Sequence, residues 1–485
     1  MSKKFYITAA IPYVNAKPHI GHALEFIQTD VIARYHKLLG EDTISLSGGD
    51  ENALKNVQAA EEIGIPIQKF VDENTQAFFD LAEKLNVKFD IWQKGSDQKK
   101  HFPSVQKLWN LCLKNGDIYK KKYEGLYCLG CETFYLEKEL DQNGECFEHP
   151  GKKLQKVSEE NYFFKLSKYQ KDLIELIQSD ELKIIPSFRK NEILSFLKEP
   201  LKDISVSRSN ERAKNWGVPV PNDSTQRIYV WFDALNIYQS GIGFGWDEKK
   251  YKRYWPADVH VIGKGISRFH SVYWPAFLLS AKLSLPKSIY IHGYLTTNGQ
   301  KISKTTGNVI NPYPLIEKYS SDVIRYYLLA KVSSFEDGDF SEEKLKNSYN
   351  SDLANGLGNL VSRVAKMAES TQGYFYKIEN DNQNALWNKI ENQINNYRFD
   401  NALSIVWDTI KEADEYLSKK KPWQLNSSDE NQKISKYTIL NTVIANIRDI
   451  AKCLKPFLPE TARKISNQFS AKKIKSDKPL FPRIN

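Results

Sequence analysis

Two histidines, His19 and His22 in His19-Ile20-Gly21-His22, follow an apolar segment and open a helical pattern. Three apart at a helix start, they share a face. The first N–H groups of a helix are unpaired and its dipole favours an anion there. The pair can therefore donate to phosphate oxygens whose charge grows during a transfer. Gly21 would leave room for a closely approaching ligand. The plainer alternative is two capping or packed histidines. Further on, Lys301-Ile302-Ser303-Lys304-Thr305 puts two lysines three apart with hydroxyls between and after. In a loop that set can clamp polyphosphate and open to release product, although a solvated surface loop has the same composition. The glycine spacing of a Walker loop is absent. A third set is Cys128-x2-Cys131-x14-Cys146-x2-His149. Three thiolates and an imidazole in two short chelating pairs suit one tetrahedral Zn²⁺ with no position left for water, which is a structural role.

These residues need elements to hold them. Phe5–Ile11 reads as a buried strand, His19–Leu39 as a helix and Thr43–Leu46 as a second strand, a βαβ unit that implies a parallel sheet. Helical pattern continues from Asn52 to Leu85. The texture changes between 116 and 225, where most of the cysteines lie among short apolar runs, and the α/β pattern then resumes. Gln226–Phe232, Asp258–Ile262 and Ser288–His292 read as strands, with a helix between Ile266 and Leu279. From 346 onward only helical patterns are present, over Asp352–Ala368, Leu386–Leu417 and Ser435–Leu454. The expected organisation is a Rossmann-like parallel-sheet core in two halves, 1–115 and 226–345. A zinc-knuckle insertion occupies 116–225, and an α-helical bundle occupies 346–485.

The 485 residues correspond to roughly three domains. With 69 Lys and Arg against 59 Asp and Glu, the formal charge of +10 permits an RNA partner without requiring one. No apolar run is long enough to span a membrane. No signal peptide precedes the first strand, and five cysteines argue against a disulfide scaffold. A cytoplasmic protein is expected. Cys112 and Cys453 fall in apolar helical patterns and read as core residues.

Taken together, the His-Ile-Gly-His and Lys-Ile-Ser-Lys-Thr segments resemble the two signatures of class I aminoacyl-tRNA synthetases. The resemblance narrows to the methionyl-tRNA synthetase family through several further segments. They are Tyr13-Val14-Asn15, Tyr123-Glu124-Gly125, Tyr229-Val230-Trp231-Phe232-Asp233-Ala234, Tyr254-Trp255-Pro256-Ala257-Asp258, Phe269-His270 with Tyr273-Trp274-Pro275-Ala276, Asp352-Leu353-Ala354, the run Asn359 to Arg363 and Leu480-Phe481-Pro482-Arg483. It covers nearly the whole chain in one order. It implies ATP-dependent ligation of L-methionine to tRNA(Met), including the initiator tRNA, through methionyl-adenylate, with Mg²⁺ accompanying ATP. It implies a methionine pocket with Tyr13 and Trp231 as aromatic walls, joined by Ile11, Ala234, Leu235, Tyr238, Ile266 and His270. Trp231 taken alone would read as a core residue. Asp50 would receive the substrate ammonium. His19, His22, Lys301 and Lys304 would stabilise the phosphoryl charge, and Glu25 would approach the ribose. Asn359 and Arg363, four apart on one helix face, would pair with anticodon bases.

The chain departs from the family pattern at Asn52 (usually histidine), Gly265 (usually aspartate), Leu235 (often proline), Ile302 and Thr305. No anticodon-stacking tryptophan is evident after Trp423. The rival expectations are another class I synthetase, for which 116–225 leaves no space for a large editing domain, and a decayed synthetase-like RNA-binding protein. Ending after the bundle, the chain is expected to be a monomer.

Overall fold

A computed structural model describes residues 2–128, 133–135, 140–147, 151, 153–297, 299–301, 309–371, 375, 385–426, 428–471 and 473–484, without the side chains of Tyr123, Thr133, Phe134, Glu159 and Lys301. The chain forms two compact units. One comprises Met1–Pro18, Gly40–Ala82 and Lys88–Ile291, the other His19–Leu39, Glu83–Val87 and His292–Asn485.

The first unit is built on a six-stranded sheet. Its strands are β1 (Lys4–Ala9), β2 (Asp42–Gly49), β3 (Ile91–Lys94), β4 (Lys183–Ile185), β5 (Val259–Gly263) and β6 (Ser288–His292), in the order β3-β2-β1-β5-β6-β4. β1 pairs in parallel with both β2 and β5, β2 with β3, and β6 with β4. β1 is buried from Phe5 to Ala9, as a central parallel strand covered on both faces must be. The chain leaves β1 toward β2 on one side and returns to β5 on the other. This reversal makes the carboxyl ends of β1 and β5 the place where such sheets bind ligands. Beside the sheet, Ile118–Cys128 pairs antiparallel with Gln155–Phe164 over ten residues. An aromatic core of Trp109, Phe164, Phe232 and Phe277 packs with ring centroids 4.6–5.6 Å apart.

The second unit is helical. It contains Ile20–Leu38, Ser321–Ala330, Asn359–Thr371, Ala385–Asn395, Phe399–Lys420, Glu430–Leu454 and Pro459–Ser470. Leu440, Val443, Ile444, Ile447 and Leu454 form a buried stripe at helical spacing on one of them. In the same unit the fully buried Arg325 donates to the carbonyls of Phe457 (2.7 Å), Leu85 (3.3 Å) and Pro456 (3.0 Å) and pairs with Asp30 (2.8 Å). Every face of the guanidinium is thus used, as burial of that charge requires.

Several expected elements differ. The run Gln226–Phe232 is not one strand. The strand is Asp223–Ile228, and Val230–Leu235 is a helix, so Trp231 projects from a helical turn. A short apolar run does not distinguish a buried strand from a buried helix. The helical stretch 52–85 breaks at Gly64-Ile65-Pro66 into Leu54–Glu62 and Ile67–Lys84. The expected helix Ile266–Leu279 is a 3₁₀ turn, a π-helical turn over Phe269–Tyr273 and a helix Trp274–Ser280 that carries Pro275 in its first turn, where a missing N–H costs nothing. Leu386–Leu417 divides at Tyr397, which has φ 55°. β4, from within 116–225, completes the edge of the main sheet.

Candidate functional site

At the carboxyl end of β1 the chain turns through Ile11 and Pro12. Tyr13 then bridges in parallel with Asp50 at the end of β2, and the Asp50 N–H donates to the Pro12 carbonyl at 2.9 Å. Asn56 donates to the Asp50 carbonyl at 2.8 Å, so the backbone carrying this buried carboxylate is held from two sides. The Trp231 ring meets Tyr13 edge-on at 6.1 Å and stacks on Phe269 at 3.6 Å, with 4° between the planes. Lys55 places its ammonium 2.8 Å from the centre of the Tyr13 ring, a cation–π contact.

The π-helical turn carries His270 into the same cluster. Its Nδ1–H donates to the Ile266 carbonyl at 3.0 Å, which leaves Nε2 to accept from the Tyr238 hydroxyl at 2.7 Å. Burial pushes the His270 imidazole down to about 4, only partly opposed by the Ile266 carbonyl, so the ring is neutral at ordinary pH. Ala234, Leu235 and Tyr238 are buried, and Ile11, Tyr13 and Ile266 pack half-buried on the same core. The structure therefore brings Ile11, Tyr13, Asp50, Trp231, Ala234, Leu235, Tyr238, Ile266 and His270 into one unit. Phe269 belongs to a segment that carries the family resemblance, but the sequence reading did not count it among the pocket walls.

In the second unit His19 caps the helix Ile20–Leu38. Its Nδ1 accepts from the Gly21 N–H, and His22 Nδ1 accepts from the His19 N–H, both at 3.1 Å. The rings lie 3.8 Å apart. Both Nδ1 atoms act as acceptors, so each neutral ring carries its proton on Nε2. The capping posed as one alternative is present, and it engages Nδ1 of both rings. A Cβ at Gly21 would lie 2.9 Å from the His19 ring, so a side chain there would crowd the cap.

Lys301 ends a small hairpin, Leu295–Thr297 with Gln300–Lys301, whose turn is held by Asp339 accepting from Thr296 and Gly299. Residues 302–308, with Lys304, lie outside the described residues, as does the Lys301 side chain. Where description resumes, the Ile310 carbonyl accepts from the Ile20 N–H at 3.1 Å, at the start of the histidine helix. Glu25 lies 3.1 Å from His292 Nε2, a partner the sequence did not indicate.

Asn359 starts its helix and is exposed, and Arg363 follows one turn on, pairing with Asp414 at 2.6 Å. Its guanidinium lies 5.5 Å from the ring of Trp423, which is 47% exposed in the turn Pro422–Gln424.

The family model for class I tRNA synthetases (M) matches residues 5–365, and that for the anticodon-binding domain of tRNA ligases matches 382–483. The chain is 41% identical to the methionine–tRNA ligase of Clostridium acetobutylicum over 96% of its own length and 73% of the relative's. To that of Brucella suis it is 40% identical, over 96% and 91%. A Mycobacterium tuberculosis methionyl-tRNA synthetase in complex with methionyl-adenylate superimposes with a TM-score of 0.91 and 35% identity, over 99% of this chain and 100% of that one.

The chain belongs to the methionyl-tRNA synthetases of class I.

Within this synthetase the cysteine set is only partly described. Cys128, at the end of Ile118–Cys128, and Cys146 are both buried and not disulfide-bonded. Cys146 donates to the Tyr135 hydroxyl at 3.6 Å. The turn before Cys146 is fixed by Asp141, which accepts from the N–H groups of Asn143 and Glu145. Cys131 and His149 lie outside the described residues. Among the described residues no group of three potential ligands gathers. Cys112 and Cys453 are buried in helices as expected, and burial pushes both thiols up to about 12. Trp423, exposed beside Arg363, is an aromatic residue to which the sequence reading gave no role.

Proposed function

We propose that this chain activates L-methionine with ATP and transfers it to tRNA(Met), the initiator included. The observation that supports this reading is the aromatic cluster of Tyr13, Trp231 and Phe269 beside Asp50, at the carboxyl ends of β1 and β2. Such a cluster suits a thioether, which packs against aromatic edges, and the carboxylate receives the ammonium. Tyr238, held by His270, with Ile11, Ala234, Leu235 and Ile266, completes the walls.

In the first step a methionine carboxylate oxygen attacks the α-phosphorus of ATP. The bond to the β-phosphate oxygen breaks, and pyrophosphate leaves. His19 and His22 donate from Nε2 to phosphoryl oxygens, and Lys301 and Lys304 neutralise the charge that develops. Mg²⁺ bound with ATP supplies further charge neutralisation. Glu25 holds the ribose. In the second step a hydroxyl of the terminal tRNA ribose attacks the adenylate carbonyl, and AMP leaves. No covalent enzyme intermediate is needed.

Asn359 and Arg363 hydrogen-bond splayed anticodon bases, and Trp423 offers a face on which one base stacks. Cys128, Cys131, Cys146 and His149 hold one Zn²⁺, which cross-links a strand-and-turn segment. The buried thiols of Cys128 and Cys146 fit that role. We assign the chain to the cytoplasm as a monomer, which sedimentation tests.

The decisive assay is ATP–pyrophosphate exchange run separately with each amino acid. Methionine-dependent exchange is expected. Exchange that ignores methionine, or its absence in the folded protein, overturns the assignment.

A further inference from the structure

The helix that carries Trp231 has six residues, Val230–Leu235, and no side-chain cap. Its placement is therefore set from outside. Asp233, two residues beyond Trp231, is buried, and both its carboxylate oxygens are engaged. Oδ2 accepts from Asn52 Nδ2 at 2.6 Å, and Oδ1 accepts from His101 Nε2. The second hydrogen of Asn52 Nδ2 goes to the Gly95 carbonyl at 2.8 Å, which fixes the orientation of the amide. The other nitrogen of His101, Nδ1, lies 2.8 Å from the hydroxyl of Ser240, beyond Tyr238 on the same chain segment. Asn236 adds a bond to Ser104 at 2.8 Å.

We propose that Asn52, Asp233 and His101 are positioning residues that set Trp231 and Tyr238 relative to Asp50, and so set the affinity for methionine. The inference rests on the methionine-pocket reading above. Asn52 lies two residues after Asp50 and Asp233 two after Trp231, so one hydrogen bond joins the segment holding the ammonium partner to the segment holding the aromatic wall. Apolar packing alone leaves a short helix free to rotate by small amounts, whereas hydrogen bonds are directional. A buried carboxylate is also a poor choice if stability is the only requirement, because apolar replacement is often neutral or stabilising. The amide is kept although its Oδ1 is buried with no hydrogen-bond partner among the described residues. Asn52 is also where this chain departs from the histidine common in the family. The network explains the departure, since the amide supplies donors to Asp233 and Gly95 together.

The test is ATP–pyrophosphate exchange on the full chain, with KM measured separately for methionine and ATP. Methionine binding without ATP is followed by intrinsic tryptophan fluorescence. Asn52→Ala should raise the methionine KM about tenfold, as the loss of a hydrogen bond to a charged group implies, while the ATP KM stays within about twofold. Asn52→His, which restores a donor, should recover most of the difference. Asp233→Asn keeps the volume but gives one oxygen position to a donor, and it should show the same split if Asn52→Ala does not fold. An unchanged methionine KM, or equal rises in both KM values, overturns the network. Trp231→Ala separates the two ideas. If it leaves the methionine KM unchanged, the pocket reading fails. If it raises the KM while the Asn52 and Asp233 variants do not, only the network fails.

Discussion

Acidification should destabilise this synthetase through His270, by an amount that His270→Gln removes. The ring is fully enclosed, donates from Nδ1 to Ile266 and accepts at Nε2 from Tyr238. Burial lowers its pKa from 6.5 to about 4. Between those values the unfolded chain binds a proton that the folded chain does not, so stability rises with pH and falls as pH drops. The contribution is near zero at about pH 7.5 and reaches a loss of about 2 kcal/mol by about pH 5, tending to about 3 kcal/mol below the folded value. His260, whose ring centroid lies 6.5 Å away, is buried too and shifted in the same direction by burial and then by His270. The native protein should therefore lose more than the His270 share. Urea unfolding of native and His270→Gln protein at both pH values isolates that share as the difference of differences. Glutamine stays neutral and can still bond to Ile266 and Tyr238. The ring C–H resonance of His270 should titrate near the folded value. Equal acid sensitivity in the two proteins, or a folded His270 that protonates near 6.5, would refute the reasoning.

Three further outcomes are expected. Arg325→Met should cost about 3–5 kcal/mol in denaturant unfolding, because it removes a buried cation from Asp30 and the donor from three buried carbonyls; a loss under about 1 kcal/mol would contradict the packing described. Arg363→Gln and Trp423→Ala should each lower aminoacylation of tRNA(Met) by about tenfold or more while leaving pyrophosphate exchange unchanged, and an equal fall in both assays would place those residues elsewhere in the chemistry. Cys146→Ser should lower zinc content measured by atomic absorption and reduce acylation, whereas one zinc per chain retained in that variant would remove Cys146 from the ligand set.

The placement of His19 and His22 at a helix start was legible because its information is local, a three-residue interval that one helical turn fixes directly. The central strands were legible for the same reason, since Phe5–Ala9, Val259–Ile262 and Ser288–His292 are short, predominantly apolar runs. The helical state of Trp231 was not, because a run such as Tyr229–Phe232 is equally apolar in either geometry and only packing on Phe269 and Trp109 decides.

The sequence by itself determined which groups are available: the imidazole pair at a helix start, the aromatic residues, the acid at 50 and the helical bundle. Tertiary structure alone decided which groups meet. Asn52 finds Asp233 across 181 residues and His101 finds it across 132. Glu25 finds His292 across 267. Such partners follow from sheet order and burial, which are properties of the closed core. Pairing across that distance leaves no periodic trace in the chain, so no local pattern announces it.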